Sequence, residues 1–230
     1  MKVSVIIPVY NEEKFIARCL EALQDQTEKA DEIIIVDNNS KDKTVKIAQR
    51  FPVKIISERK QGLTFARNLG FDTAYGDIIA RIDADTEVPP NWIKKLKKHF
   101  RNNPNLIALS GPTSFEDAKF NHLLIVEKAL ITSWKTIFGH DILYGSNMAL
   151  TKKAWRKVKN YICLDDKLVH EDLDLAIHLG ELKTGRILFD KKFIAQVSER
   201  RWKKAESYLE YPYRYLKTLA THNKYFKLPA

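Results

Sequence analysis

The chain has 230 residues, 44% of them hydrophobic, and a formal net charge of +10. That length suits one large domain, and the apolar content is ample for a buried core. Two cysteines exclude a disulfide-stapled scaffold, no stretch reaches the ~20 apolar residues of a membrane-spanning helix, and the apolar run at 3–9 is too short for a secretory leader; the protein is expected to be cytoplasmic, either soluble or at the membrane surface.

Taken in chain order, residues 3–9 read as a strand. Phe15, Ile16, Cys19, Leu20 and Leu23 then share one helical face, with Asn11 placed to cap that helix and Glu12 and Glu13 in its first turn. Residues 32–36 form a second strand, 43–50 a helix, 53–57 a third strand, 63–74 a helix and 77–82 a fourth strand. Trp92, Ile93, Leu96 and Phe100 mark a further helix, and 106–109 another strand. The second half is less regular: an apolar-rich helix over 118–138, a tight turn entering a strand at "GSNMAL" (145–150), a helix starting near His170–Asp172, and an extended stretch over 186–198.

Strands alternating with helices at this spacing predict βαβ units and a mostly parallel α/β sheet flanked by helices. Ligands of such sheets bind beyond the carboxyl ends of the strands. Polar clusters fall at those ends: Tyr10-Asn11-Glu12 after the first strand, "DNNSKDKT" (37–44) after the second, and Asp83-Ala84-Asp85 after the fourth. In extended chain Asp83 and Asp85 point to one side, where two like charges repel unless a cation lies between them.

Six segments in order, "VSVIIPVYNEE", "IIIVDNNSKDKT", "GLTFARNLG", "DIIARIDADTEVPP", "GSNMAL" and "HEDLDLA", resemble a family 2 glycosyltransferase of the GT-A, Rossmann-like fold over residues 1–200. The resemblance leaves 201–230 as a C-terminal helical extension. It implies inverting transfer of a sugar from a nucleotide-diphosphate donor, with UDP the first nucleotide to consider. Pro8, Tyr10, Glu12 and Asp37 would then line the nucleotide site, and Arg67 would supplement it near the base or phosphates. Asp85 would bind Mg²⁺ or Mn²⁺, with Asp83 on the ribose or a metal-bound water. Asp172 would be the catalytic base, with Glu171 beside it, and Asn147 would border the sugar and acceptor pocket. Arg200 or Arg201 would close over the diphosphate. The leading Gln of the processive synthases' Gln-x-x-Arg-Trp motif is replaced by Ser198, and Lys43 stands where the family commonly has Gly, which puts the loop shape there in question.

Residues 199–230 carry eight Lys/Arg against three Glu, half of the net charge, and five of the nine tyrosines. This tail, the 118–138 helix and the basic amphipathic stretch "WIKKLKKHF" suggest a surface facing an anionic membrane, and hence a lipid-linked acceptor such as a polyprenyl phosphate or glycolipid. Nucleic acid is not expected, since carboxylates at the strand ends would repel its phosphates. A dehydrogenase would need G-x-G-x-x-G where Tyr10-Asn11-Glu12 stands. A catalytically silent nucleotide- or partner-binding protein of the same fold is the remaining alternative.

Overall fold

A computed structural model describes residues 1–115, 123–198, 200 and 207–222, with the backbone alone described over 123–130 and 207–212. β1 (Val3–Val9), β2 (Glu32–Asp37), β3 (Lys54–Ser57) and β4 (Ile78–Arg81) are joined through α1 (Ile16–Gln24), α2 (Thr44–Ala48) and α3 (Leu63–Thr73). Then come β5 (Thr86–Glu87), α4 (Trp92–Asn102), β6 (Leu106–Ser110), β7 (Thr113–Phe115) and α5 (Leu123–Phe138). A 3-10 turn at Gly145–Asn147 leads into β8 (Met148–Thr151), followed by α6 (Lys152–Val158), α7 (Glu171–Glu181), β9 (Arg186–Phe189), β10 (Ala195–Val197) and α8 (Ser207–Thr221).

The main sheet has seven strands in the order β3-β2-β1-β4-β8-β6-β9. β3, β2, β1 and β4 run parallel, β8 is antiparallel to both β4 and β6, and β6 is parallel to β9. β5, β10 and β7 form a small second sheet. Strand alternation separates two cores. Val3, Val5, Ile7 and Val9 of β1 pack with Ile16, Cys19, Leu20 and Leu23 of α1 and with Trp92, Ile93, Leu96 and Phe100 of α4. Ile6 faces the other way, into a core shared with Phe71 of α3, Trp155 of α6, Leu175 of α7, and Tyr215 and Leu219 of α8. The apolar face of α4 is therefore spent on the sheet and offers nothing to a membrane, contrary to the amphipathic reading of "WIKKLKKHF". Helix α8 packs on the same core as α7, and the Thr218 hydroxyl accepts the His170 N–H at 2.8 Å.

Two expectations about backbone are corrected. Asn11 does not cap α1, which begins at Ile16; its φ is +56°, a left-handed conformation that Asn tolerates well. From there its Oδ1 accepts the Lys41 N–H at 2.7 Å and its own N–H donates to Ser40 Oγ at 3.1 Å. The residue braces the loops after β1 and β2 instead of starting a helix. Asp83-Ala84-Asp85 is likewise not extended: Thr86 N–H donates to Asp83 C=O at 3.1 Å, closing a turn. Lys43 sits at φ −83°, where no glycine is required.

Candidate active site

The register Val9↔Asp37, with Ile82 N–H donating to Ile6 C=O at 3.3 Å, brings the ends of β1, β2 and β4 to one sheet edge. Pro8 is buried within β1, while Tyr10 just beyond it is 50% exposed. Asp37 is half-buried, and its Oδ1 accepts the Ser40 N–H at 3.1 Å. Glu12 N–H donates to Thr44 Oγ1 at 2.7 Å, which holds the β1 loop against the start of α2.

Three carboxylates meet at this edge, Glu12 and Asp85 paired with the Arg200 guanidinium and Asp83 with that of Arg81. Arg200 Nη2 lies 2.6 Å from Glu12 Oε1, and its Nη1 bonds the other Glu12 oxygen. Arg200 Nε reaches Asp85 Oδ2 at 2.9 Å, and Ser198 Oγ donates to the same oxygen at 2.6 Å. Asp83 Oδ1 pairs with Arg81 Nη2 at 2.7 Å. Burial pushes the Glu12 carboxyl above its usual range, and the negative charges of Asp85 and Asp83 push the same way against Arg200. Such a concentration of hard oxygen donors is of the type that could hold Mg²⁺ or Mn²⁺, through Asp85 and Asp83 once their arginine partners give way. Arg201 lies outside the described residues.

Behind the acidic edge runs a buried ion chain. Glu171, at the first turn of α7, bonds Arg81 Nη1 through one oxygen and Arg67 Nη1 through the other, and Arg67 Nη1 also donates to the Glu171 carbonyl at 2.7 Å. Both arginines are essentially inaccessible, at 1% and 0% exposure. Arg67 is therefore placed to orient Glu171 and not to touch a donor's base or phosphates. Glu171 is correspondingly a support for its neighbours. Burial by itself would raise its carboxyl, but Arg81 and Arg67 outweigh burial and hold it below the ordinary value.

Asp172, next in sequence, is half-buried, and Gly145 N–H donates to its Oδ2 at 2.9 Å. Burial, then the Glu171 charge, raise this carboxyl above its ordinary value. Gly145 is needed for close approach: a Cβ there would stand 2.1 Å from Arg81 Nη1. Asn147 is fully buried, accepting from Trp92 Nε1 at 2.9 Å and donating to Phe193 C=O at 2.6 Å and Pro112 C=O at 3.2 Å. It fastens the turn to the small sheet and does not border an open pocket.

Arg81 and Ser198 carry weight that the sequence reading did not assign to them. Arg81 had a visible signal, a charge inside the apolar run 78–82, because buried arginines are rare unless paired. Ser198 stood out only as the residue replacing the leading Gln of the Gln-x-x-Arg-Trp motif.

The family model of glycosyl transferase family 2 matches residues 4–157. Glycosyltransferase AglE of Haloferax volcanii is 39% identical over 101 residues, which cover 40% of this chain and 33% of AglE. The dolichol-phosphate mannosyltransferase of Pyrococcus furiosus is 41% identical over 115 residues, 46% of this chain and 32% of that protein. The chain thus spans about a third of the length of these curated relatives. Among solved structures, the mannosyltransferase PcManGT of Pyrobaculum calidifontis, in complex with GDP-Man and Mn²⁺, superposes with a TM-score of 0.80 at 19% identity, covering 99% of this chain and 66% of that one. With two thirds of its length matched by the family model and its sheet superposing on a GT-A enzyme, the chain belongs to glycosyl transferase family 2.

Proposed function

We propose that the chain is an inverting glycosyltransferase that moves a sugar from a nucleotide-diphosphate donor to an acceptor hydroxyl. The observation that carries this is the chain Asp83–Arg81–Glu171, which ties the acidic strand end to the helix bearing Asp172. A base whose carboxyl is raised by burial is thereby held at a fixed distance from carboxylates suited to a metal–diphosphate.

Asp172 takes the proton from the acceptor hydroxyl as the acceptor oxygen bonds to the anomeric carbon. The bond from that carbon to the diphosphate oxygen breaks on the opposite face, and the electron pair leaves with the nucleotide. Asp85 and Asp83 would hold Mg²⁺ or Mn²⁺, which would supply charge neutralisation for the departing diphosphate. Tyr10 stacks on the base, and Asp37 accepts from the base or ribose. Arg200 exchanges its bonds to Glu12 and Asp85 for the phosphates. The GDP-Man and Mn²⁺ of the PcManGT complex support this class of donor, and UDP, GDP and dTDP are the nucleotides to compare.

The acceptor we infer is lipid-linked, a polyprenyl phosphate or glycolipid presented at an anionic membrane. Tyr213 and Leu216 of α8 support it, each 63% exposed, as does the name of the Pyrococcus relative. No helix among the described residues is long and apolar enough to cross a membrane.

Calorimetry with UDP-, GDP- and dTDP-sugars, in Mn²⁺ or EDTA, tests the donor site on wild type and Asp85→Ala. Metal-dependent binding of one donor that disappears in the variant is the expected result. Absence of binding to all three, with and without metal, would leave the silent nucleotide- or partner-binding reading instead.

A further inference from the structure

Helix α7 carries a second charged group that the transfer chemistry does not use. Asp174 lies two residues beyond Asp172, about 200° around the helix, and so faces away from the base. It is 0% exposed. Its Oδ2 accepts the Cys163 N–H at 2.9 Å, whereas the buried Oδ1 is met by imidazole nitrogens and by no backbone donor among the described residues. Two imidazoles converge on that oxygen: His178 Nε2 at 3.5 Å, one helical turn along α7, and His222 Nε2 at 3.1 Å, just past the end of α8. The three atoms all lie within 4.8 Å of one another.

The far side of each ring is occupied. His222 Nδ1 lies 2.9 Å from the Thr218 carbonyl, which can only accept, so Nδ1 carries the hydrogen and Nε2 turns inward. His178 Nδ1 lies 3.1 Å from Glu181 Oε2, a carboxylate that plays the same part. Outer acceptors of this kind fix the tautomer and orientation of metal-binding histidines. The side chains of His178 and His222 are 16% and 9% exposed, leaving a narrow opening on an otherwise enclosed group.

We propose that Asp174, His178 and His222 form a zinc site that pins the end of α8 to α7. Ligand atoms at about 2.0–2.1 Å from a tetrahedral zinc stand roughly 3.3 Å apart, which matches the 3.5 and 3.1 Å separations. Two imidazoles and one carboxylate suit Zn²⁺, with water in the fourth position. The strand-end carboxylates offer oxygen alone and suit Mg²⁺ or Mn²⁺, so the two sites select different ions. The zinc would join α8 to the helix that presents Glu171 and Asp172, with its water-held fourth position left open.

The test uses the full chain stripped with EDTA, in an Asp85→Ala background that silences the strand-end site. Co²⁺ is titrated while its visible bands are recorded, then displaced with Zn²⁺, and the thermal midpoint is followed with and without Zn²⁺. The expected result is a single tetrahedral Co²⁺ per chain, displaced by Zn²⁺, and a midpoint raised by the metal. His178→Ala and His222→Ala should each weaken binding by more than the ~10–100-fold that disturbing an outer partner costs. His222→Gln, which keeps a polar side chain of similar reach, is the second variant should His222→Ala unfold. A midpoint indifferent to Zn²⁺, or binding unchanged in both histidine variants, would overturn the proposal and leave the three residues as an ion triad.

Discussion

Glu171 and Asp172 are adjacent carboxylates whose surroundings drive their proton affinities apart. Glu171 is clasped by Arg81 and Arg67, which overcome burial and keep it ionised, whereas Asp172 is raised by burial and by Glu171 itself. On the proposed mechanism, this division would give proton transfer to Asp172 and support to Glu171. Asp172→Asn should therefore cost about 10²–10⁴-fold in transfer rate. The same change should raise the thermal midpoint at pH 7. A carboxyl raised above its ordinary 3.8 contributes stability that is present at low pH and lost as pH climbs through the folded value. At neutral pH the ionised group is a liability the amide avoids; an Asn oxygen still accepts from Gly145, and the gain has to exceed the loss of the Leu173 N–H, which Asp172 Oδ1 accepts at 2.9 Å. In the wild type, kcat/KM should rise with pH through that same raised value and then level off. A variant with a lowered midpoint, or a wild-type profile flat on the acid side, would remove Asp172 from this role.

Among the elements, α3 shows how closely the helices must approach the sheet. A Cβ on Gly70 would lie 2.3 Å from Ile6 Cγ2 and 3.0 Å from Val36 Cγ2. Helix propensity favours Ala over Gly by about 1 kcal/mol, but overpacking a core costs about 1–3 kcal/mol. The packing term should win, so Gly70→Ala is expected to lower the melting temperature and, by displacing Arg67 on the same helix, to weaken the hold on Glu171. A higher melting temperature would show that α3 has room to spare. The strands, most helices and the common strand-end edge were legible because period-2 and period-3.6 patterns record which face is buried. What misled was local polar chemistry. Asn11 looks like a cap and serves a left-handed turn, and alternation at Asp83 and Asp85 fails because the chain turns there. Arg67 and Asn147 sit in motif segments, yet both are buried against protein partners. No periodicity reveals whether a polar side chain bonds a ligand or its own fold. The buried Arg81–Glu171 contact joins residues 90 apart in sequence, and nothing local to either one announces it.

At the scale of the whole molecule, the question is where the +10 charge and the exposed apolar surface are directed. The lysines of α4 ride on a helix whose apolar face is buried, and Lys97 turns inward to pair with Glu28 at 3.0 Å. Lys152, Lys153, Arg156 and Lys157 gather beside Gly76 and Asp77, at the end of β4 opposite the acidic edge. Helix α8 joins basic residues to exposed large side chains, with Tyr213 and Leu216 outward while Tyr215 and Leu219 enter the core. Deleting the tail would destroy that core contact together with any membrane contact, so truncation cannot separate the two. Tyr213→Ser with Leu216→Ser removes only the outward face. Burying such a side chain in an interface is worth about 1.5–3 kcal/mol, and each 1.4 kcal/mol is roughly tenfold in affinity. The double variant should therefore keep its melting temperature while cosedimentation with anionic liposomes falls by at least about a hundredfold. Equal binding by variant and wild type would place any membrane contact elsewhere, and absence of binding by the wild type would point to an acceptor free in solution.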